Sequence, residues 1–214
     1  MADTYQHSPA PTRLVLTDHR SRLATARSDA ELVGASVRDP DAFTELFARH
    51  WDGLYRFCLN RAGSAGEDVA AEAFRVAFDR RRRYDVRYHD ARPWLFGIAT
   101  NLLREHFRTA GREESKRSRA AALETLTQAD GELGGLERQL LGPHLAAALR
   151  DLPAADRDAL LLLAWADLNY EQIAQALDIP PGTVGSRVHR ARQRVREYLQ
   201  TGEDHEARTE RGLR

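Results

Sequence analysis

The clearest pattern along the chain is the recurrence of apolar residues at steps of three and four positions, the spacing of one face of an amphipathic helix. It begins at Asp41, and a turn at 63–66 ends the first predicted helix. A second helix is predicted over 67–82, and a third over 93–108 after a polar loop at 85–92. The apolar face of the first helix consists of Phe43, Leu46, Phe47, Trp51, Leu54, Phe57 and Cys58. These three helices can enclose one core.

A second group of helical patterns follows after a break. Its four segments are 140–152, 154–166, 170–177 and 182–199, separated by short connections. No segment shows a convincing run of two-residue alternation, which a half-buried strand would require. We therefore expect an all-α protein with two small helical domains joined by a flexible linker.

The segments outside the two groups lack this periodicity. Pro9, Pro11 and scattered charges mark a flexible arm, with only a short possible helix at 29–37. Gly, Ser, Thr and mixed charges mark the linker, with a possible helix at 119–126. The predicted division is an arm at 1–38, a first domain at 39–108, a linker at 109–138, a second domain at 139–200 and a tail at 201–214.

The overall composition gives no direct sign of a nucleic-acid partner, because 32 Lys and Arg balance 32 Asp and Glu. Any attraction for DNA must depend on where the charges lie. The single cysteine, Cys58, falls in an apolar helical pattern and predicts a buried thiol in a reducing compartment. No apolar run approaches the roughly 20 residues that span a bilayer. We therefore expect a cytoplasmic protein.

A helix-turn-helix is predicted in the second domain, from the short helix at 170–177, the tight connection at 178–181 and the longer helix from Gly182. Ala174 is small enough to let two crossed helices approach. Apolar residues fall where such helices need contacts: Ile173, Leu177, Ile179, Val184 and Val188.

The longer helix is basic, with no acidic residue from Gly182 to Arg196. Residues 151–178 hold six acids and one arginine, so the charge within this domain is segregated, which favours a DNA-binding face. Short polar side chains and arginines near the start of the helix can reach base edges in a major groove, and later arginines can follow phosphates. The alternative is a solvated basic face without a partner. The candidate side chains are Thr183, Ser186, Arg187, Arg190, Arg192, Arg194 and Arg196.

The first domain has a basic strip of its own. Eight arginines lie from Arg80 to Arg108 against three acids, and five aromatic residues interleave with them. Arginine neutralises phosphate and an exposed aromatic ring can stack on an unpaired base, so this composition suits a single-stranded or melted DNA surface. Tyr88 and His89 in the loop are the better candidates for base contact. Three other aromatic residues fit a core equally well at their helical spacing: Trp94, Phe96 and Phe107.

Several segments of the chain resemble a known family. Residues 41–47, 67–74 and 92–108 resemble sigma region 2, and residues 152–174 with 182–192 resemble sigma region 4. The two blocks in this order, with no apparent region 1.1 or folded region 3, are typical of the extracytoplasmic-function (group 4) sigma factors of bacterial RNA polymerase. The resemblance implies a transcription initiation factor that directs the polymerase to promoters and assists DNA melting.

The resemblance also implies roles for particular residues. The second helix of region 2 would dock on the clamp helices of the polymerase through Asp68, Glu72 and Phe74. The loop and third helix would read the melted −10 element through Arg87, Tyr88, His89, Arg92, Asn101, Arg104 and Arg108. Region 4 would read the −35 element as duplex through Thr183, Ser186, Arg187, Arg190 and Arg194.

Three positions depart from the family pattern: Ala71, where Gln is frequent, Phe78, where Trp is frequent, and Gly185, where Lys or Arg is frequent. Gly185 removes one possible DNA contact and leaves the −35 preference open. An anti-sigma factor is a further implied partner. The apolar surface at 160–165 could serve such an inhibitor or the polymerase flap, although a leucine run is more often simply core.

The sequence also bears on two other classes of function. An enzyme is disfavoured because the eight histidines and one cysteine show no metal-ligand spacing, and no phosphate-binding glycine loop or nucleophile elbow is present. No cofactor or metal is expected. A stand-alone helix-turn-helix regulator remains the alternative; it would bind a palindromic duplex tightly without polymerase.

Overall fold

The computed structural model describes residues 27–121 and 142–212. Most of the predicted flexible arm, residues 1–26, and most of the predicted linker, residues 122–141, lie outside the described residues. The structural statements below concern the described ranges.

Within these two ranges the chain forms α-helices and no strand, so the all-α prediction is confirmed. Two single 3-10 turns, Gly63–Ala65 and Arg81–Arg83, join helices of the first unit. The helices of the first unit are α1 (Asp29–Ser36), α2 (Ala42–Ala62), α3 (Gly66–Arg80) and α4 (Arg92–Ala121). Those of the second unit are α5 (Pro143–Arg150), α6 (Ala154–Trp165), α7 (Tyr170–Leu177) and α8 (Pro181–Gly212).

A short helix lies at the end of the predicted arm, where the sequence suggests one. Residues 29–36 form α1, and Leu32 and Val33 are completely buried against the rest of the first unit. Ser28 begins this helix with a capping box, in which its hydroxyl accepts the Glu31 N–H and the Glu31 carboxylate accepts the Ser28 N–H. Helix α1 therefore packs with the helices of the first unit, although the predicted division assigns its residues to the arm.

Two helices extend beyond their predicted ends. Helix α4 continues to Ala121, into the predicted linker, and α8 continues to Gly212, into the predicted tail. Apolar periodicity reports only the part of a helix that packs against a core. Arg, Glu, Lys and Ala are strong helix formers, so both helices continue after their apolar faces end.

The core of the first unit lies between α2, α3 and α4. Leu54, Phe57, Leu95 and Leu103 are fully buried, and the Phe57 ring meets the edge of Phe96 with centroids 5.2 Å apart. Burial of one such aromatic side chain contributes about 2–3 kcal/mol. Cys58 lies in the same core, and its burial raises the pKa of the thiol to about 12.

The core of the second unit joins α6, α7 and α8. Leu161, Leu162, Ile173, Val184 and Val188 are almost completely buried. The leucine run at 160–163 is thus mainly core, with Leu160 and Leu163 half-buried at its edge. The structure favours the packing interpretation of this run over a free apolar docking surface.

The two units touch each other. Helix α7 packs against α4, and Asp158 of α6 reaches both Arg61 of α2 and Arg104 of α4. No helix in the described ranges is long and apolar enough to cross a membrane.

Candidate nucleic-acid interface

The loop between Arg83 and α4 is held by backbone-directed hydrogen bonds. The Tyr84 hydroxyl donates to the carbonyl oxygen of Tyr88 at 2.5 Å. The Asp29 carboxylate accepts the Ala91 N–H at 2.9 Å, and the Asp29 N–H donates to the His89 carbonyl oxygen at 3.2 Å. The first residue of α1 therefore fixes a loop 60 residues later in the chain.

Asp29 is the centre of a buried polar cluster. Its carboxylate is 2.6 Å from Arg49 Nη1 and 2.7 Å from His50 Nε2, both on α2. Burial alone would raise the pKa of this carboxyl, but the hydrogen bonds from His50, the Ala91 N–H and Arg49 outweigh it and lower the pKa below its usual range. Asp29 thus stays ionised and joins α1, α2 and the loop.

The loop side chains that the sequence nominates for −10 contact point outward. Arg87, Tyr88 and His89 are exposed, and Tyr88 retains 46 % of its accessible surface. Tyr84 instead packs inward beside Trp94, with ring centroids 4.8 Å apart. The backbone contacts described above hold the loop and leave these three side chains exposed to solvent.

The nominated residues on α4 extend the same surface. Asn101 and Arg108 are exposed, and Arg104 is half-exposed between them. The other aromatic residues of the basic strip behave as core: Phe96 is buried, and Trp94 and Phe107 are half-buried. The structure thus brings all seven nominated −10 residues onto the loop and one helix.

The helix-turn-helix forms where the sequence predicts it. Asn169 caps α7 by accepting the Gln172 N–H, and the Gln172 side chain accepts the Asn169 N–H, each at 2.9 Å. Asp178 ends α7 in a left-handed conformation, φ 51°, which aspartate tolerates better than most residues. Buried Val184 and Val188 then fix α8 across α7.

Helix α8 exposes the residues nominated for −35 contact to different extents. Ser186, Arg190 and Arg194 are exposed, whereas Thr183 and Arg187 are half-buried. The Ser186 hydroxyl donates to the Thr183 carbonyl oxygen at 2.9 Å. The helix therefore presents a basic, polar face that lies largely outside the core of the second unit.

Several nominated arginines hold a carboxylate of the same chain. Arg87 pairs with Asp85 and Arg92 with Asp90 inside the loop region. Further pairs are Arg104 with Asp158, Arg108 with Glu105 and Arg190 with Asp156. Each of these arginines is thus paired with an acid of the same chain.

The Asp156–Arg190 pair is the link between the acidic and basic parts of the second unit. Arg190 places Nη2 2.8 Å and Nε 3.1 Å from the two carboxylate oxygens of Asp156, which is buried. The hydrogen bond raises the pKa of Arg190. Sequence patterns could not reveal this pair, since its members lie 34 residues apart.

The residues nominated for polymerase contact lie on α3 with different exposure. Asp68 is exposed and Glu72 is half-exposed in a pair with Arg75, but Phe74 retains only 4 % of its surface. Phe74 lies beneath Phe47 and Trp51 of α2.

Phe47 is the exposed member of an aromatic ladder along α2. The ladder consists of Phe47, Trp51 and Tyr55, with centroids 4.9 and 5.8 Å apart. The periodicity assigns Phe47 to the core, yet 38 % of it is exposed. Its place at the edge of the apolar face is the only sequence signal that could have distinguished it.

The described residues contain no group of three or more His, Cys, Asp and Glu side chains that could hold a metal ion. The arrangement in these ranges is one of exposed basic and aromatic groups on rigid helices, which suits binding.

Comparison with known proteins identifies both units. The family described as "Sigma-70 region 2" matches residues 46–113, and "Sigma-70, region 4" matches residues 145–195. SigE of Mycolicibacterium smegmatis, an ECF RNA polymerase sigma factor, is 33% identical over 164 residues, covering 74% of this chain and 62% of that protein. SigW of Bacillus subtilis, with the same description, is 30% identical over 172 residues, covering 75% of this chain and 90% of that protein.

Solved structures agree at the level of the fold. CnrH in complex with the cytosolic domain of CnrY is similar with a TM-score of 0.58 at 22% identity, covering 81% of this chain and 97% of that chain. RpoE in complex with the anti-sigma factor NepR from Bartonella quintana has a TM-score of 0.52 at 22% identity, covering 74% and 96%. With both region families in order and relatives of 30% identity or more, the chain belongs to the extracytoplasmic-function sigma factors, the transcription initiation factors that direct RNA polymerase.

Proposed function

We propose that this chain reads promoters through two separate surfaces, a single-strand surface on the loop and α4 and a duplex surface on α8. The observation that carries the proposal is the placement of exposed arginines on a braced loop in one unit and on a helix-turn-helix in the other. In this proposal the first unit covers residues 27–113 and the second unit covers residues 142–200.

The duplex surface is the exposed side of α8. A helix lying in a major groove presents its first turns to base edges and later arginines to phosphates. Thr183, Ser186 and Arg187 would read bases of the −35 element, while Arg190 and Arg194 would contact phosphates. Arg190 would leave Asp156 to do so, since both ligands use the same guanidinium edge.

The single-strand surface is the braced loop with the adjacent side of α4. Tyr88 is exposed enough to stack on an unpaired base, a contact worth about 1–3 kcal/mol. Arg87, Arg92, Arg104 and Arg108 would neutralise the phosphates of the melted −10 strand. Because the loop is fixed before DNA arrives, little ordering entropy opposes the contact.

Polymerase docking is assigned to α3 and the neighbouring edge of α2. Asp68 and Glu72 offer an exposed and a half-exposed carboxylate on α3, and Phe47 of α2 offers an exposed ring that contacts Phe74 of α3. Phe74 would support this surface from beneath by packing against Phe47. Carboxylates and an exposed ring on neighbouring helices suit a basic, partly apolar helix of the partner.

The setting of this function is also a proposal. Because chromosomal DNA and RNA polymerase are cytoplasmic in bacteria, the proposed function implies a cytoplasmic protein. Its role would be that of a binding subunit without catalysis of its own. The similar solved structures of CnrH and RpoE were determined with CnrY and the anti-sigma factor NepR respectively, which supports an anti-sigma factor as a further partner of this chain.

The decisive experiment is run-off transcription with bacterial core polymerase and a genomic DNA library, with this chain added or omitted. We expect discrete new start sites that share −35 and −10 motifs. Arg187→Ala should weaken transcription from those starts, whereas Arg56→Ala, an exposed arginine on α2 outside both surfaces, should not. Absence of new starts, with tight duplex binding by the chain alone, would instead establish a stand-alone regulator.

A further inference from the structure

A small cavity lies where α2, α4 and α6 meet, and arginines dominate its lining. Its volume is about 170 Å³. Four arginines line it, whereas the lining contains one acid, Asp158. The four arginines are Arg61 of α2, Arg104 and Arg108 of α4, and Arg157 of α6. A cavity bordered by several guanidinium groups is suited to an anion rather than to a cation or an apolar ligand.

Arg61 has a hydrogen-bonding group that the described ranges do not satisfy. Only 3 % of its side chain is exposed, and its Nη2 lies 2.7 Å from a carboxylate oxygen of Asp158. The Nη1 of the same guanidinium is also buried, but it has no hydrogen-bond acceptor in residues 27–121 or 142–212. A buried donor without an acceptor is costly, and more so when the donor is charged. Arg61 can therefore accommodate one further anionic acceptor.

Asp158 does not neutralise the arginines that contact it. One of its oxygens lies near Arg61, and the other lies 2.6 Å from Nε of Arg104. The Asp158 side chain is 1 % exposed, so this contact is shielded from solvent. Two guanidinium groups share one carboxylate, and the three side chains together keep a net positive charge. This charge favours an anion in the adjoining cavity.

The start of α6 also borders the cavity. Ala154 is the first residue of this 12-residue helix and belongs to the lining. Pro153 precedes it, and no side chain caps the helix. The first N–H groups of a helix lack partners within the helix, and the aligned peptide dipoles place a partial positive charge there. The helix start therefore adds to the positive potential of the guanidinium groups.

We propose that this cavity is a binding site for one tetrahedral oxyanion of the phosphate class. A water molecule takes about 30 Å³, so the cavity has room for the five heavy atoms of a phosphate but not for a whole nucleotide. Arginine forks donate paired hydrogen bonds that match the oxygens of a phosphate. The same chemistry would accept inorganic phosphate or the terminal phosphate of a nucleotide whose remainder stays outside the cavity.

The bound oxyanion would contact three helices at once. Arg61 and Arg104 would supply guanidinium groups from α2 and α4, and the start of α6 would supply backbone N–H groups. Asp158 would stay between the two arginines, and its negative charge limits the affinity to the millimolar range. The proposal is independent of promoter reading, because it concerns a small ion that the chain binds without DNA or polymerase.

Calorimetric titration of the full chain with sodium phosphate, at pH 7 and constant ionic strength, tests the proposal. We expect saturable binding of one phosphate per chain, comparable binding of sulfate, and no saturable heat with chloride. Phosphate and sulfate stabilise folded proteins in general, because they are excluded from protein surfaces. The heat of binding is therefore measured directly, and thermal stability is not used as the readout.

Two variants assign the heat of binding to this cavity. Arg61→Met should weaken phosphate binding at least about ten-fold, because a buried charge-assisted hydrogen bond is lost. Arg108→Ala changes an exposed side chain and should weaken binding about three-fold, as expected for a solvent-exposed charge pair. Arg112→Ala is the matched control, because Arg112 is also exposed and lies one turn further along α4, outside the lining. Circular dichroism checks the helix content of each variant.

Titration with adenosine triphosphate separates the two sources of phosphate. Tighter binding of the triphosphate, weakened in the same variants, would identify the end of a nucleotide as the ligand, whereas tighter binding of inorganic phosphate would identify the free ion.

The anion site would be overturned by a lack of saturable phosphate binding, or by equal phosphate affinity in the wild type, Arg61→Met and Arg108→Ala. If Arg61→Met loses its helix content, the comparison of Arg108→Ala with Arg112→Ala decides, and equal affinity of these two variants would overturn the site. The titration contains no DNA or polymerase, so its outcome leaves the promoter-reading function to the transcription experiment.

Discussion

The loop before α4 and the turn between α7 and α8 both support exposed arginines, but contacts of different range hold them. The turn is fixed by residues close in sequence, namely the Asn169–Gln172 capping box and the left-handed Asp178. The loop depends on Asp29, which contacts Ala91 from 62 residues away. A DNA-reading element can thus be held by local contacts or by a distant buried charge. Substitutions that remove these two kinds of support should therefore have different effects on stability and DNA binding.

The largest expected effect is in the locally built element. Ile173→Ala removes a fully buried side chain between α7 and α8 and should lower the free energy of unfolding by about 3 kcal/mol. Urea unfolding followed by circular dichroism measures this. The exposed neighbour Glu171→Ala should change it little, and a comparable loss in both variants would show that α7 has no special role in the packing.

The next effect tests the distant charge. Asp29→Asn should lower the free energy of unfolding by about 2 kcal/mol at pH 7, because Arg49 and the Ala91 N–H lose a charged partner. Asp41→Asn is the control, since Asp41 begins α2 without a side-chain capping bond. Binding of −10 single-stranded DNA should weaken for Asp29→Asn while −35 duplex binding persists. Equal losses at both elements would contradict the comparison.

The effect of Asp29→Asn should also depend on pH. The folded state lowers the pKa of Asp29, so its stabilisation is complete above the unfolded pKa of about 3.9 and is lost as pH falls through the folded value. The difference between wild type and Asp29→Asn should therefore shrink in acid. A difference that stays constant from pH 7 to pH 3 would show that the charge of Asp29 is irrelevant.

Much of the fold follows from the sequence, because apolar periodicity and capping are local. The bounds of α7 agree with the prediction at both ends, and the buried Ile173, Val184 and Val188 are those that crossed helices require. The sequence only suggests helix α1, because its 8 residues are too few to establish an apolar period.

The members of the candidate site could be nominated from the sequence, but the residues that support them could not. Composition alone is enough to nominate the arginines and the loop aromatics. The partners of Asp29, Asp156 and Asp158 lie on other helices, so the sequence does not show which acids are paired. A buried carboxylate cannot be distinguished from a solvated one in the sequence. Phe47 is more exposed than the apolar pattern predicts, because periodicity gives the direction of a face but not the depth of each residue.

A smaller effect isolates the capping box. Asn169→Ala should lower the free energy of unfolding by about 1 kcal/mol, because the Gln172 N–H loses its acceptor at the start of α7. Thermal unfolding provides the measurement. Asn169→Ser should restore most of the loss, since serine also caps helices well. If serine performs no better than alanine, the cap does not stabilise α7.

The smallest expected effect concerns Gly185, which lies on the recognition helix. Gly185→Ala should raise the free energy of unfolding by somewhat less than 1 kcal/mol, because the new Cβ would lie 3.8 Å from Tyr170, an ordinary contact. Urea midpoints compare it with the wild type. A loss of stability would indicate that α8 needs the flexibility of glycine at this position.

The buried state of Cys58 makes the chain convenient for optical experiments. It is the only cysteine in the sequence, and with a pKa of about 12 it holds almost no thiolate near neutral pH. Maleimide dyes react with the thiolate, so a cysteine introduced on an exposed helix would be labelled ahead of it. Single-molecule fluorescence on chains with one introduced cysteine in each unit could follow the distance between the two units over time without removal of the native thiol.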